Sequence, residues 1–130
     1  MMAALFVGLV PVGAEEHTEM ENQMEAVDEA FKGFRRETDP VKGAAQAREA
    51  QNATLKATAE IPKLVKAMPE GPEKAKATAE YRKMMGKLFV TFCEVEEAFL
   101  AGKTEEVANI VKSIRDMKKA GHDKFMEEEE

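Results

Sequence analysis

The sequence predicts an all-α fold, an antiparallel up-down-up-down bundle of four helices. Of its 130 residues, 34% are charged and only 6% are aromatic, with no Trp, and this mixture favours helix. The 8 Gly and 5 Pro cluster at a few places, whereas an all-β chain would need turn residues at short, regular intervals. Several segments repeat apolar residues at alternating steps of three and four. A chain of this length can bury one core, so we expect one folded domain.

The first helix is predicted over residues 16–36. Its apolar residues recur at steps of four and three and therefore form one stripe: Met20, Met24, Val27, Phe31 and Phe34. The helix is expected to stop at the sequence ETDP, where Asp39 can cap the next helix and Pro40 suits its first position.

The second helix is predicted over residues 40–68, with Pro62 kinking it or ending its regular part. Its inward face is thin and made mostly of small residues: Ala47, Ala50, Ala53, Ala57, Ile61 and Leu64. The sequence PEGPE at residues 69–73 then predicts a turn, with Pro72 well placed at a helix start.

The third helix, predicted over residues 73–100, carries the clearest heptad pattern of the chain. Its stripe is Tyr81, Met85, Leu88, Phe92, Val95 and Phe99. Gly102 is predicted to stop this helix and Thr104 to cap the fourth, which extends through Phe125 into the acidic tail. Because this turn is short, the third and fourth helices are expected to be antiparallel neighbours.

Charge and cysteine content exclude several classes of function. The net charge is −6 and no basic block stands apart from acidic neighbours, which argues against nucleic-acid binding and favours a basic protein partner. The single Cys93 excludes an internal disulfide, a C-x-x-C zinc site and a C-x-x-C-H haem attachment. The Glu-x-x-His pairs of di-iron bundles are also absent from the sequence.

The N-terminal residues 1–14 predict an export signal. They form an apolar run that ends in small residues before two glutamates, and the run is too short to span a bilayer. The usual basic start is missing, as in a truncated signal. We therefore expect a mature chain over residues 15–130, outside the cytoplasm and without membrane insertion.

Two side chains from distant parts of the sequence are predicted to share one pocket. In the up-down-up-down topology, the starts of the first and third helices and the end of the fourth meet at one end of the bundle. At about 100° per residue, His122 is expected to point to the inner edge of its helix and not to open water, and Met24 to reach the core at a similar depth. Four apolar residues are expected to line the same pocket: Val27, Phe31, Tyr81 and Met85.

A soft sulfur opposite an imidazole suits haem iron. However, a lone histidine on a helix is more often solvated or bonded to a neighbour, and Met at heptad spacing is more often core packing. The spacing by itself leaves both interpretations open.

The two segments around these side chains resemble the cytochrome b562 family. NQMEAVDEAFKGF at residues 22–34 is similar to the first helix of that family around its Met ligand, and RDMKKAGHDKF at residues 115–125 is similar to the last helix around its His ligand. The PEGPE and AGK turns fall where the family has loops. The similarity covers nearly all of the chain after the signal.

The resemblance implies a periplasmic electron-transfer protein, not an enzyme, which binds one haem b (iron protoporphyrin IX) non-covalently. Met24 and His122 would be the axial ligands. Lys118, one turn before His122, is placed to pair with a haem propionate, although a surface lysine of this kind is more often only solvated. Partners would be transient redox proteins, and we expect a monomer. Tyr81 and Met85 depart from the family, which tends to place two aromatic residues beside the haem on the third helix.

Alternatives remain at the level of sequence. Met20 lies one turn from Met24 and is the alternative sulfur ligand, and His17 lies on nearly the same face. A haem-free envelope bundle of the same fold, acting as a binding or stress-response module, is one rival function. A methionine-based copper carrier, suggested by the 9 Met residues, is another.

Overall fold

The computed structural model describes residues 19–125, and this part of the chain consists of helices joined by short connections. The helices are α1 (Glu19–Phe34), α2 (Pro40–Thr58), the short α3 (Lys63–Lys66), α4 (Pro72–Leu100) and α5 (Thr104–Phe125). The four long helices form the predicted bundle, so the fold class is confirmed. The predicted export signal, His17 and the acidic tail lie outside the described residues.

The helix ends follow the local chemistry that the sequence indicates. Asp39 caps α2, because its carboxylate accepts hydrogen bonds from the backbone N–H groups of Val41 (2.9 Å) and Lys42 (3.4 Å). Gly102 has a φ of 75°, a left-handed conformation that suits glycine and ends α4. Thr104, predicted as the cap of the last helix, is instead the first residue of α5.

The second helix is shorter than predicted. It ends at Thr58, and Pro62 precedes the separate turn of helix α3, so Pro62 ends the regular segment instead of kinking it. The break changes the helical register. Val65 is therefore buried, while Leu64, which was predicted to face inward, is exposed.

Small residues let α2 pack closely against α1 and α4. Its inward face is lined by alanines that are at most 5% exposed: Ala44, Ala47, Ala50, Ala53 and Ala57. Gly43 lies against the ring of Phe99, and a Cβ added at this glycine would come within 2.4 Å of that ring. Polar contacts join the same helices, since Gln51 donates to the Glu96 carboxylate at 2.8 Å. The small side chains therefore fix α2 as the central element of the bundle.

The bundle is closed on three sides and open on the fourth. The helix pairs in close backbone contact are α1 with α2, α2 with α4, and α4 with α5, and the short α3 touches α4 and α5. The first and last long helices, α1 and α5, are not among these pairs. No described helix is both long enough and apolar enough to cross a membrane. The open side between α1 and α5 positions the candidate site.

Candidate functional site

A cavity of about 160 Å³ lies at the end of the bundle where α1 and α4 begin and α5 ends. Its lining comes from three helices. From α1 come Met20, Met24 and Asp28; from α4, Tyr81, Met84, Met85 and Leu88; and from α5, Met117, Lys118, Gly121, His122 and Phe125. The cavity therefore borders the open side between α1 and α5.

Met24 and His122 line this cavity from different helices. Met24 lies on α1, partly buried against the core, and His122 lies in the last turn of α5 with an exposed side chain. The sequence predicts that His122 points to the inner edge of its helix and not to open water. His122 does line the cavity, but its side chain is exposed, so the second part of this prediction is wrong. The structure thus brings both residues to one cavity, with the imidazole at the mouth and the thioether farther inside.

Tyr81 presents its ring to the cavity but turns its hydroxyl away from it. The hydroxyl donates to the backbone carbonyl of Ala57 at 2.7 Å, and the ring meets Phe125 edge-on with centroids 5.6 Å apart. Burial, assisted by the negative charge of Glu60, raises the pKa of Tyr81 to about 12. Since Tyr81 stays neutral and its hydrogen-bonding group is already engaged, this wall of the cavity is apolar.

The mouth of the cavity is bridged by an ion pair. Lys118 on α5 donates to the carboxylate of Asp28 on α1 and lies 4.4 Å from the centre of the Phe31 ring. Arg115, one turn earlier on α5, lies 6.0 Å from the centre of the same ring. Side chains, and not packed backbones, therefore connect α1 to α5 here.

The other predicted pocket residues divide into two groups. Tyr81, Met85 and Lys118 line the cavity, as do Met24 and His122. Val27 and Phe31 are buried in the core and do not line this cavity, so their contact with a cofactor stays a prediction. The predicted partner of Lys118, a propionate, also stays a prediction, because the structure pairs this residue with Asp28.

Sequence reasoning missed several members of the site, notably Met84 and Gly121. A Cβ added at Gly121 would come within 2.8 Å of the Met84 sulfur, so the missing side chain lets this thioether lie against α5. The spacing did contain a signal. Met84 lies three residues after Tyr81 and four before Leu88, which places it on the cavity-facing side of α4.

Other reactive groups do not build a competing site within residues 19–125. No cluster of three or more His, Cys, Asp or Glu side chains suited to a metal is present there. Burial raises the pKa of the Cys93 thiol, and the carboxylates of Glu96, Glu97 and Glu94 raise it further, so this thiol is a poor nucleophile. Glu96 instead pairs with Arg48 at 3.2 Å and holds α2 to α4.

Comparison with known proteins gives one family. The sequence model described as cytochrome b562 matches residues 19–126, well over half of the chain and all of the helices. No curated protein matches the chain significantly. The match includes both segments that contribute Met24 and His122 to the cavity.

Proposed function

This chain belongs to the cytochrome b562 family, and from this premise we propose that it carries electrons on one non-covalently bound haem b, with Met24 and His122 as axial ligands. The family consists of haem-binding electron carriers and not of enzymes. The haem would lie between the first and last long helices.

One observation carries the proposal. Met24 and His122 line the same cavity from α1 and α5, and these are the two neighbouring long helices that lack close backbone contact. A flat macrocycle can lie between two helices only where their backbones leave room for it. Ligands on the facing helices then reach the iron from opposite sides, which is the ligation found in cytochromes with Met and His.

The residues present fit a haem provided that the cavity widens. Its volume of about 160 Å³ is below the roughly 300–1,000 Å³ typical of pockets for cofactor-sized ligands. The open side is where widening would occur, because Lys118 reaches Asp28 and Phe31 across it and the two helix backbones are not in close contact. Methionine side chains are flexible and adapt their packing, so they can line a wider slot without strain.

Bound haem supplies the one-electron chemistry, while the protein tunes it. Ligation by the Met24 thioether and the His122 imidazole would favour the reduced state and raise the potential. The apolar wall formed by Tyr81 and Leu88 would exclude water from the cofactor, which acts in the same direction. Release of Lys118 from Asp28 would let its ammonium neutralise a propionate at the mouth. The exposed edge beside His122 is the side on which electrons would be exchanged.

We further propose export to the periplasm and transient redox partners. The family is periplasmic in general, and the apolar residues 1–14 support export of this chain.

The two helices that border the open side carry opposite charge. Helix α1 has five acidic residues and one basic residue, whereas residues 112–124 of α5 have five basic and two acidic residues. A partner that docks there needs charges of both signs, which refines the basic partner expected from net charge alone.

The direct test is a haem titration followed by visible absorption. The wild-type chain is expected to bind one haem and to give a sharp, low-spin spectrum when reduced. Met24→Ala and His122→Ala should each lose that spectrum, because each removes one axial ligand. Met68→Ala is the matched control, since Met68 is partly buried on the core but does not line the cavity.

Two results would contradict the proposal. A low-spin spectrum retained in Met24→Ala but lost in Met20→Ala would assign the sulfur ligand to the neighbouring turn. A wild-type chain that stays colourless with excess haem would support the haem-free binding module instead.

A further inference from the structure

The cavity is unusually rich in sulfur. Six methionines occur among residues 19–125, and five of them line this one cavity: Met20, Met24, Met84, Met85 and Met117. They come from three helices, and Met20 and Met85 are at most 5% exposed. Haem ligation by one Met and one His uses a single thioether, so four of the five sulfur atoms have no role in the function proposed above.

The donors that face the cavity are soft. Tyr81 directs its hydroxyl to the backbone of Ala57, and the Asp28 carboxylate is engaged by Lys118. The Met117 sulfur accepts a hydrogen bond from the Thr91 hydroxyl at 3.7 Å, so the other four thioethers and the imidazole of His122 remain as the available donors. Neutral thioethers select Cu(I) over hard cations such as Mg²⁺ or Ca²⁺, which prefer oxygen.

One thioether from α4 lies close to α5. The Met84 sulfur lies against the backbone of Gly121, within 2.8 Å of the position that a Cβ would take there. Met84 and His122 both line the cavity, so α4 and α5 each contribute a soft donor to it. His122 is exposed whereas Met20 and Met85 are buried, so an ion that enters from solvent reaches the imidazole before those two sulfur atoms.

We propose that the haem-free protein binds one Cu(I) ion in this cavity, held by His122, Met84 and further thioethers of the five-methionine cluster. A bare ion fits a cavity of about 160 Å³ without widening, whereas a haem requires the open side to spread. Since Met24 and His122 line the same space, Cu(I) and haem exclude each other. The ion arrives and stays as Cu(I), so binding needs no electron transfer.

The test is an anaerobic competition between the protein and bicinchoninate for Cu(I). The wild-type chain is expected to withdraw one equivalent of Cu(I) from the coloured chelate. Met84→Leu and His122→Ala should each weaken binding by at least about tenfold, because even outer-sphere changes at metal sites cost about 10- to 100-fold. Met68→Leu is the matched control and should bind like the wild type, since Met68 lies outside the cavity.

The Cu(I) competition is run on the haem-free chain, so its outcome does not depend on the haem proposal. Leu conserves the volume of Met, so Met84→Leu should retain the fold while it loses affinity for Cu(I), and circular dichroism checks the helix content. Failure of haem binding in the wild type would leave the copper result unchanged.

Three outcomes would overturn the copper site. The first is a wild type that does not withdraw Cu(I) from the chelate. The second is binding by Met84→Leu and His122→Ala that is as tight as in the wild type, and the third is a loss of affinity in Met68→Leu as large as in those two variants.

A second measurement of Cu(I)-site occupancy needs no variant. Ag(I), a redox-inert substitute, should shift the methyl resonances of the cavity methionines and leave that of Met68 in place, and the reverse pattern contradicts the proposal.

Discussion

At the scale of single residues, Tyr81 links the cavity to the rest of the bundle. It is the only tyrosine in the chain, and its hydroxyl ties α4 to the end of α2 through the carbonyl of Ala57. That carbonyl also accepts the backbone N–H of Glu60 at 3.1 Å, so it keeps a partner if the hydroxyl is removed. The bond therefore contributes about 1 kcal/mol, a typical net value.

Tyr81→Phe is expected to lower the free energy of unfolding by about 1 kcal/mol near neutral pH. In the wild type, burial raises the pKa of Tyr81 from 10.0 to about 12. Its contribution to stability is therefore complete below pH 10, the pKa in the unfolded chain, and is lost as the pH rises toward 12. Urea unfolding of both proteins at a series of pH values measures this, and the difference between them should shrink above pH 10.

The comparison with Tyr81→Phe cancels the pH effects on stability that the two proteins share. A stability difference that stays constant through the alkaline range would contradict the buried environment of this hydroxyl. It would also weaken the description of this cavity wall as apolar.

Some residues of the site could be predicted from the sequence, and others could not. Met24 and His122 followed from helical spacing, topology and family resemblance. Met84 and Gly121 did not, because their proximity depends on how deeply α4 and α5 pack, and sequence periodicity does not specify that depth. The partner of Lys118 also required coordinates, since it is a carboxylate 90 residues away in sequence.

At the scale of helices, close packing of α2 depends on Gly43. A Cβ at this position would lie 2.4 Å from the Phe99 ring, and that ring is fully buried, so it has little room to move. Gly86 on α4 provides the contrast, because a Cβ there meets nothing within 4 Å.

Gly43→Ala is expected to lower the free energy of unfolding by about 1–3 kcal/mol through overpacking, even though Ala favours helix. Gly86→Ala should raise it by about 0.5–1 kcal/mol, since it gains helix propensity without a clash. Urea unfolding compares the two variants with the wild type. Equal effects at both positions would show that α2 does not approach Phe99 as closely as described.

The bounds of the helices show where sequence patterns suffice. Asp39 and Gly102 marked a helix start and a helix end correctly, because capping and left-handed turns are local properties. The second helix was predicted too long, since its alanine pattern continues to Ile61 and Leu64. The break at Thr58 precedes Pro62 by four residues, and packing of Val65 fixes the new register.

At the scale of the whole molecule, the fold brings the two ends of the described chain together. The start of α1 and the end of α5 border one cavity, although Met24 and His122 are nearly a hundred residues apart. The up-down-up-down topology could be predicted from four amphipathic stripes and short turns. The open side could not, because the stripes alone do not show that α1 and α5 stay apart.

The two helices that border the open side carry opposite charges and therefore attract each other. Lys118 in the basic second half of α5 forms an ion pair with Asp28 of acidic α1. Since surface ion pairs are worth at most about 1 kcal/mol each, this attraction can hold the opening without preventing its widening.

We expect the Met24 sulfur and the His122 imidazole to hold one haem between α1 and α5. Nuclear magnetic resonance of the reduced, haem-loaded chain with labelled methionine methyl groups tests this ligation, because the ring current of haem shifts the methyl group of a ligating Met strongly upfield. We expect one such resonance, absent in Met24→Leu and retained in Met20→Leu and Met84→Leu. A resonance that persists in Met24→Leu, or the absence of any strongly shifted methyl group in the wild type, would contradict the claim.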